Sequence, residues 1–336
     1  MADLSTTYMG LKLKNPLIAG SSGITDNVKN IQELEENGAA AVVLKSLFEE
    51  EIQLDLKNKM SQMGSETYLY PETLEYYEDY DSKEEELTTK YLNLLREVKS
   101  AVKIPVIASI NCVTAEQWTY FPKMLEEAGA DGLELNVFIL PSDLKRSAEE
   151  NEKIYFDIIS EVKKQVNIPV ALKMSYYFSN LANVIQRFSE TGIDSLVLFN
   201  RFYSPDFDLE NMEVVATNVL SSPGDLHLSL RWVGIMAERV SCDISSSTGV
   251  HEGSAVIKQL LAGANTVQVV STLYKNGIST MQTLVEELEK WMEKNRYASI
   301  DDFRGRMSQS KAKDPAAYER VQFMKYFRGY EYMQSR

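Results

Sequence analysis

A (β/α)₈ barrel, an α/β fold, is predicted by three features of the sequence. A helical pattern ends at glycine four times, passes a small residue, and enters an apolar strand stopped by a polar residue: ENGAAAVVLKS, EAGADGLELN, ETGIDSLVLFN and LAGANTVQVVS. The strands are apolar on nearly every residue, which marks a parallel sheet buried on both faces. Polar residues close almost every strand, and no Gly-rich fingerprint follows the first one, so a barrel is favoured over an open doubly wound sheet.

Taken in order, Thr6–Tyr8 and Leu11–Leu13 flank Met9-Gly10 as a small hairpin expected to close the barrel bottom. Barrel strands are expected at Leu17–Ala19, Ala41–Leu44, Val106–Ile110, Leu133–Leu135, Val170–Leu172, Leu196–Phe199, Asp243–Ser245 and Val267–Val270. Gly38, Gly129, Gly192 and Gly263 sit where a left-handed helix C-cap is needed. Two strands enter through Ile-Pro-Val, where proline is tolerated because it occupies the strand's first position. The Tyr- and Glu-rich segment from Leu47 to Ser82 is a long loop, read as a lid or pocket wall or, equally, as a solvated acidic loop or dimer contact. A helix follows near Glu85–Val102. The stretch from Asn200 to Leu226, punctuated by Pro205, Pro223 and Gly224, is expected to hold a hairpin beside the active face. Helices are expected at Glu252–Ala262 and Ile278–Lys294. Beyond the barrel domain, 1–306, the tail 307–336 has helical spacing at Tyr318, Val321, Met324 and Phe327 and is expected to pack on the barrel or a neighbouring subunit.

With 336 residues, a net charge of −14 and a pI near 4.8, the chain's field repels nucleic-acid backbones and anionic membrane. Two cysteines far apart, Cys112 and Cys242, fit reduced thiols, and no apolar run approaches a membrane span, so a soluble cytoplasmic protein is expected.

Chemistry in such a barrel sits at the C-terminal strand ends. This sequence places Ser21, Lys45-Ser46, Asn111-Cys112, Asn136, Lys173, Asn200-Arg201, Thr248-Gly249 and Ser271 there. The turn Ser245–Gly249 leads into one helix and Ser271-Thr272 into another, and paired helix N-termini behind small residues make an anion site. Taken singly, each turn is better explained as helix capping. Two lysines and three amides around one mouth, with a phosphate site between the last two units, suit a large planar polar ligand with a phosphate tail. His227 and His251 lack the carboxylate or thiol spacing of metal ligands, so no metal is expected.

On Leu44–Ser46 (LKS), Glu134–Asn136 (ELN), Leu172-Lys173, Phe199-Asn200, TGVHEG from Thr248 and LAGANTVQVVSTLYKNG from Leu261, with NPLIAGSSG near the start and DDFRGRM near residue 306, the chain resembles dihydroorotate dehydrogenases, the soluble class 1 enzymes in particular. The resemblance implies FMN, with Ser21, Lys45, Ser46, Asn111, Asn136 and Lys173 at the isoalloxazine and ribityl groups and Thr248, Gly249, Ser271 and Thr272 at the phosphate. It further implies that Lys173 stabilises charge on reduced flavin, that Lys45, Asn136 and Asn200 meet the substrate, and that the protein is a homodimer in pyrimidine biosynthesis. Arg201, beside Asn200, adds a cation able to hold a carboxylate. The departures matter equally. Where the family carries a Cys or Ser base after its ELN strand, Val137–Pro141 offers no proton acceptor. Ser61–Gly64 replaces a substrate asparagine segment, Thr248-Gly249 replaces a Gly-Gly pair, and Val270-Ser271 replaces Gly-Thr. Ser142 is the nearest substitute base, with Cys112, His227, Tyr176 and Tyr177 at the same mouth. An FMN oxidoreductase acting on a dihydropyrimidine-like substrate is the leading expectation. A flavin-binding homologue without dihydroorotate dehydrogenase activity is the alternative, and an aldolase-like barrel using Lys173 as a Schiff base is the third. Lys173→Ala is expected to leave the barrel folded.

Overall fold

Eight parallel strands close on themselves in the computed structural model, which describes residues 2–48, 73–111, 115–201, 204–217 and 219–319. The hairpin strands are β1 (Thr6–Tyr8) and β2 (Leu11–Leu13). The barrel strands are β3 (Leu17–Ala19), β4 (Ala41–Val43), β6 (Val106–Asn111), β7 (Gly132–Asn136), β8 (Val170–Met174), β9 (Ser195–Leu198), β12 (Asp243–Ser246) and β13 (Thr266–Val269). Their order is β4-β3-β13-β12-β9-β8-β7-β6, and β4 pairs back to β6 through Val42↔Val106 and Val43↔Ile107. The short β5 (Leu47–Phe48) adds to the end of β6. A parallel barrel ringed by helices is therefore the fold.

Alternation along each strand sorts side chains into two layers. Ile18, Ala41, Val43, Ile107, Ala171 and Val197 pack inside with Tyr8, Met9 and Leu13 of the β1–β2 hairpin, which plugs the barrel's N-terminal end as expected. Leu17, Val42, Val106, Leu133, Leu172 and Leu196 face outward into the helix layer. All four glycines that end helices have left-handed φ, from +84° at Gly192 to +121° at Gly263. Two residues beyond three of them comes a further device. Asp131, Asp194 and Asn265 each accept a backbone N–H from the neighbouring strand, at Val106, Val170 and Ile244 respectively. A side-chain oxygen of Asp or Asn, repeated at one offset, fixes the stagger of adjacent strands.

The barrel strands lie within two residues of their expected bounds, and three helix starts differ from expectation. The helix expected from Glu85 starts at Thr73 and runs to Ala101, because its apolar period, Leu87, Tyr91, Leu92, Leu95 and Val98, sets in only after several acidic turns. The rest of the expected lid, 49–72, lies outside the described residues. The helix Gly253–Ala262 starts one residue later than expected, and Thr280–Asn295 begins two residues later than Ile278. The insertion after β9 does hold a hairpin, β10 (Ser204–Asp208) with β11 (Glu213–Thr217). Beyond residue 306 the described chain is turns and one 3₁₀ turn, Pro315–Tyr318, anchored where Gln309 N–H donates to Gly234 O; the helical spacing expected through Val321, Met324 and Phe327 lies outside the described residues. No helix among the described residues is long and apolar enough to cross a membrane.

Candidate functional site

The C-terminal strand ends surround a cavity of about 520 Å³, within the usual range for a small-molecule or cofactor site. Ser21, Lys173, Asn200, Arg201, Thr248, Gly249 and Ser271 line it, so seven of the expected residues are brought together. Ser46 and Asn136 stand one hydrogen bond behind. The Ser46 hydroxyl joins those of Ser21 (3.2 Å) and Ser109 (2.7 Å), Asn136 Nδ2 donates to Ser46 (3.4 Å), and Asn200 Nδ2 donates to Asn136 Oδ1 (2.6 Å). Tyr91 locks this row from beneath, its hydroxyl bonded to both backbone groups of Ser109. The two amides thus have fixed orientations before any ligand arrives.

Lys45, Asn111, Ser142 and Thr272 are not on the described cavity wall. Thr272 is fully buried with its hydroxyl accepting from Asn276, and Ser142 is exposed with its N–H turned back to Leu140 O. In the loop after β7, Val137 is buried while Phe138 and Leu140 are exposed. Among the substitute bases, Cys112 lies outside the described residues. Tyr176 is pushed up to about 12, first by its hydrogen bond with Tyr177 and then by burial, so it holds its proton at neutral pH.

Beneath the cavity lies a ring that the strand-end reading misses. Lys173 Nζ donates to Glu134 Oε1 (3.3 Å) and Gln268 Oε1 (3.1 Å), and Gln268 Nε2 donates to Glu134 Oε2 (2.6 Å). Glu134 is 1 % exposed and Lys173 6 %. A polar residue at the inward position of an otherwise apolar strand, Glu134 in GLELN and Gln268 in TVQV, is the sequence signal for both.

The turn after β12 and the start of the helix after β13 line the same cavity. Ser221, between them, accepts from Gly249 N–H (3.3 Å), donates its own N–H to Ser271 Oγ (2.9 Å), and its carbonyl accepts from Lys275 Nζ (2.6 Å). His251 Nε2 lies 3.2 Å from the Ser221 hydroxyl, and burial followed by the Lys275 charge holds the imidazole below the usual histidine range. The structure corrects one source of this site. The N-terminus of the helix Gly253–Ala262 is not open to an anion, because Gly253 N–H already donates to the Glu287 carboxylate. The donors that remain for a phosphate are side-chain ones, the Ser271 hydroxyl proton and the Lys275 ammonium protons not given to Ser221 O.

Thr248 and Gly249 are both left-handed, with φ of +80° and +78°. A Cβ on Gly249 would lie 2.1 Å from Leu226 N, so glycine is required there both for conformation and for close approach. Thr248 is the strained member, since a β-branched residue in this region costs about 1–2 kcal/mol. Thr248→Gly should therefore raise stability by about 0.5–1 kcal/mol after its own entropic cost, seen as a higher urea midpoint at unchanged slope. A lower midpoint would mean that the Thr248 hydroxyl, which donates to Phe199 O, outweighs the strain.

The residues fit FMN on three observations: a polar row with preset amides, a buried lysine lining the cavity with two of its three donors used among the described residues, and on the same cavity wall Ser271, whose hydroxyl accepts from Ser221 N–H and keeps its own proton to give. Among the described residues no group of three or more His, Cys, Asp or Glu could hold a metal ion.

Comparison with known proteins supplies the family. The chain matches the family model described as dihydroorotate dehydrogenase over residues 3–292. It is 28 % identical to dihydroorotate dehydrogenase B (NAD(+)), catalytic subunit, of Thermoplasma volcanium over 313 residues, covering 91 % of this chain and 98 % of that one. Identity to the corresponding Thermoplasma acidophilum protein is 26 %, covering 91 % and 99 %. Identity to dihydroorotate dehydrogenase A (fumarate) of Lactococcus lactis is 23 %, covering 90 % and 99 %.

Proposed function

The chain belongs to the dihydroorotate dehydrogenase family, and on that premise we propose that it is an FMN-dependent oxidoreductase acting on a small, planar, polar substrate at the mouth of its barrel. The single observation that carries this reading is that one cavity is lined both by Lys173 and Gln268 of the buried ring and by Thr248, Gly249 and Ser271 from the ends of the last two barrel strands.

FMN, when bound, supplies the hydride acceptor. The chain's own residues do the rest. The Ser271 hydroxyl, which accepts from Ser221 N–H and keeps its own proton to give, and the ammonium donors of Lys275 not taken by Ser221 O hold the phosphate end, with Thr248 and Gly249 shaping the wall around it. Ser21, Lys45, Ser46 and Asn111 are assigned to the ribityl and ring edges, as the family resemblance has them. Lys173 offers a fixed cation in a water-poor interior, where a charge acts far more strongly than in water. Asn136 and Asn200, already oriented by their mutual hydrogen bond, present one donor–acceptor edge to the substrate. Arg201, held by Val219 O (2.7 Å) and near Asp225, is placed to pair with a carboxylate. We assign the protein to the cytoplasm as a homodimer.

A second reading, a flavin-binding homologue without dihydroorotate dehydrogenase activity, is favoured by one observation: Val137–Pro141 carries no side chain able to take a proton.

Titrating flavin-free protein with FMN and with riboflavin tests the proposal. FMN should bind and riboflavin, lacking the phosphate, should bind at least about a hundredfold more weakly, as expected from losing several charge-assisted hydrogen bonds. Equal affinities would place the phosphate elsewhere and remove the donor cluster from the account.

A further inference from the structure

The Glu134–Lys173–Gln268 ring is closed. Both Glu134 oxygens accept, one from the ammonium and one from the Gln268 amide, and the Gln268 carbonyl accepts the second ammonium proton. That pattern fixes the amide's orientation and uses two of the lysine's three N–H donors, while Lys173 and Gln268 both line the cavity. The remaining donor is the one left for a guest. Below the ring, the buried Tyr8 hydroxyl lies beside Ser195 and Ser245, and its acidity is weakened by burial and then by the Glu134 charge. Glu134 therefore brings negative charge into the barrel interior, and Lys173 is its only ion-pair partner among the described residues. As a device for stability alone such a pair is a poor choice, since well-packed apolar residues serve as well or better.

We infer that Glu134, assisted by Gln268, is a positioning residue that holds the Lys173 ammonium fixed beneath the cavity, where it meets negative charge delivered to a bound flavin. The inference rests on the flavin reading above. Replacing Glu134 by Gln keeps the volume but turns one acceptor into a donor. Either the ammonium or the Gln268 amide then faces an N–H group, and the ring cannot close. The ammonium also loses its counter-ion in a site too buried for water to replace it.

Sulfite is the probe. Its sulfur lone pair forms a bond to the flavin ring, no electron is lost from the adduct, and the added negative charge is spread over the ring, so its dissociation constant reads the nearby cation without any turnover. In FMN-loaded protein, Glu134→Gln should weaken sulfite binding by about tenfold or more, the size expected for displacing a charge-assisted hydrogen bond. Lys173→Met should weaken it at least as much. In the Lys173→Met background, adding Glu134→Gln should no longer weaken sulfite binding and should leave it unchanged or tighten it, because the ammonium it positions is gone and the change removes an unpaired buried carboxylate. Glu134→Asp keeps the charge but retracts it by one methylene, and serves if Glu134→Gln does not fold. It should retain FMN and a cooperative melt yet bind sulfite about three- to tenfold more weakly.

Sulfite affinity within twofold of wild type in whichever of these two variants folds overturns the inference and leaves the flavin reading standing. So does an equal effect of Glu134→Gln with and without Lys173. A wild-type protein that takes up no FMN overturns the flavin reading, and this inference with it.

Discussion

Flavin bound to this protein is expected to be reduced by dihydroorotate about 10²–10⁴-fold more slowly than in an enzyme whose loop after the corresponding strand carries a base, the range that general base catalysis contributes. The structure strengthens the grounds for that expectation. Phe138 and Leu140 are exposed apolar residues, Ser142 lies off the cavity wall, and the hydrogen bond with Tyr177, followed by burial, pushes the Tyr176 phenol above the usual tyrosine range. Anaerobic stopped-flow reduction checks it, with the flavin absorbance as readout. A rate typical of the family would refute it and direct attention to Cys112 or Ser142, each then replaced by Ala. A slow rate with dihydroorotate but a fast one with another small acid would assign Arg201 its carboxylate.

Lys173→Ala is expected to cost both function and stability. Loss of one preorganised charge stabiliser typically lowers a rate by about 10²–10³-fold, and flavin reduction by the true substrate should fall by that much. The stability effect revises what a strand-end lysine alone suggests. Removing Lys173 leaves Glu134, 1 % exposed, as an uncompensated buried charge, which costs about 3–5 kcal/mol. Chemical denaturation should show this loss. Adding Glu134→Gln to Lys173→Ala should recover part of it, since the buried charge then disappears. A single variant as stable as wild type would mean that water reaches Glu134 freely and that the interior ring is not dry.

The sequence made the frame legible because each barrel unit repeats one physical requirement. Helices that end in a left-handed residue need Gly38, Gly129, Gly192 and Gly263, and the strand buried after each must be apolar until it reaches the mouth. The mouth was legible for the same reason, since Ser21, Lys173, Asn200 and Ser271 are the polar residues on which apolar runs stop. The ring beneath it was not. Glu134 and Gln268 lie 134 positions apart on strands that are not neighbours, and only closure of the barrel brings them across its interior to Lys173. Ser221 and Lys275 were hidden for a related reason: the excursion through β10 and β11 returns the chain onto the turn at Gly249, a path that no local pattern encodes. The helix N-terminus read as an anion site was misleading because its donor is already met by Glu287, a residue on a different helix.

Releasing and identifying the chromophore of the purified protein bears on the whole account at once. Heat or acid denaturation followed by mass spectrometry of the supernatant should yield FMN close to one per chain, taken from the native protein or after reconstitution. Finding FAD, a nicotinamide nucleotide, or no flavin even after reconstitution would contradict an account in which Lys173 and the donors around Gly249 and Ser271 face the two ends of one bound FMN.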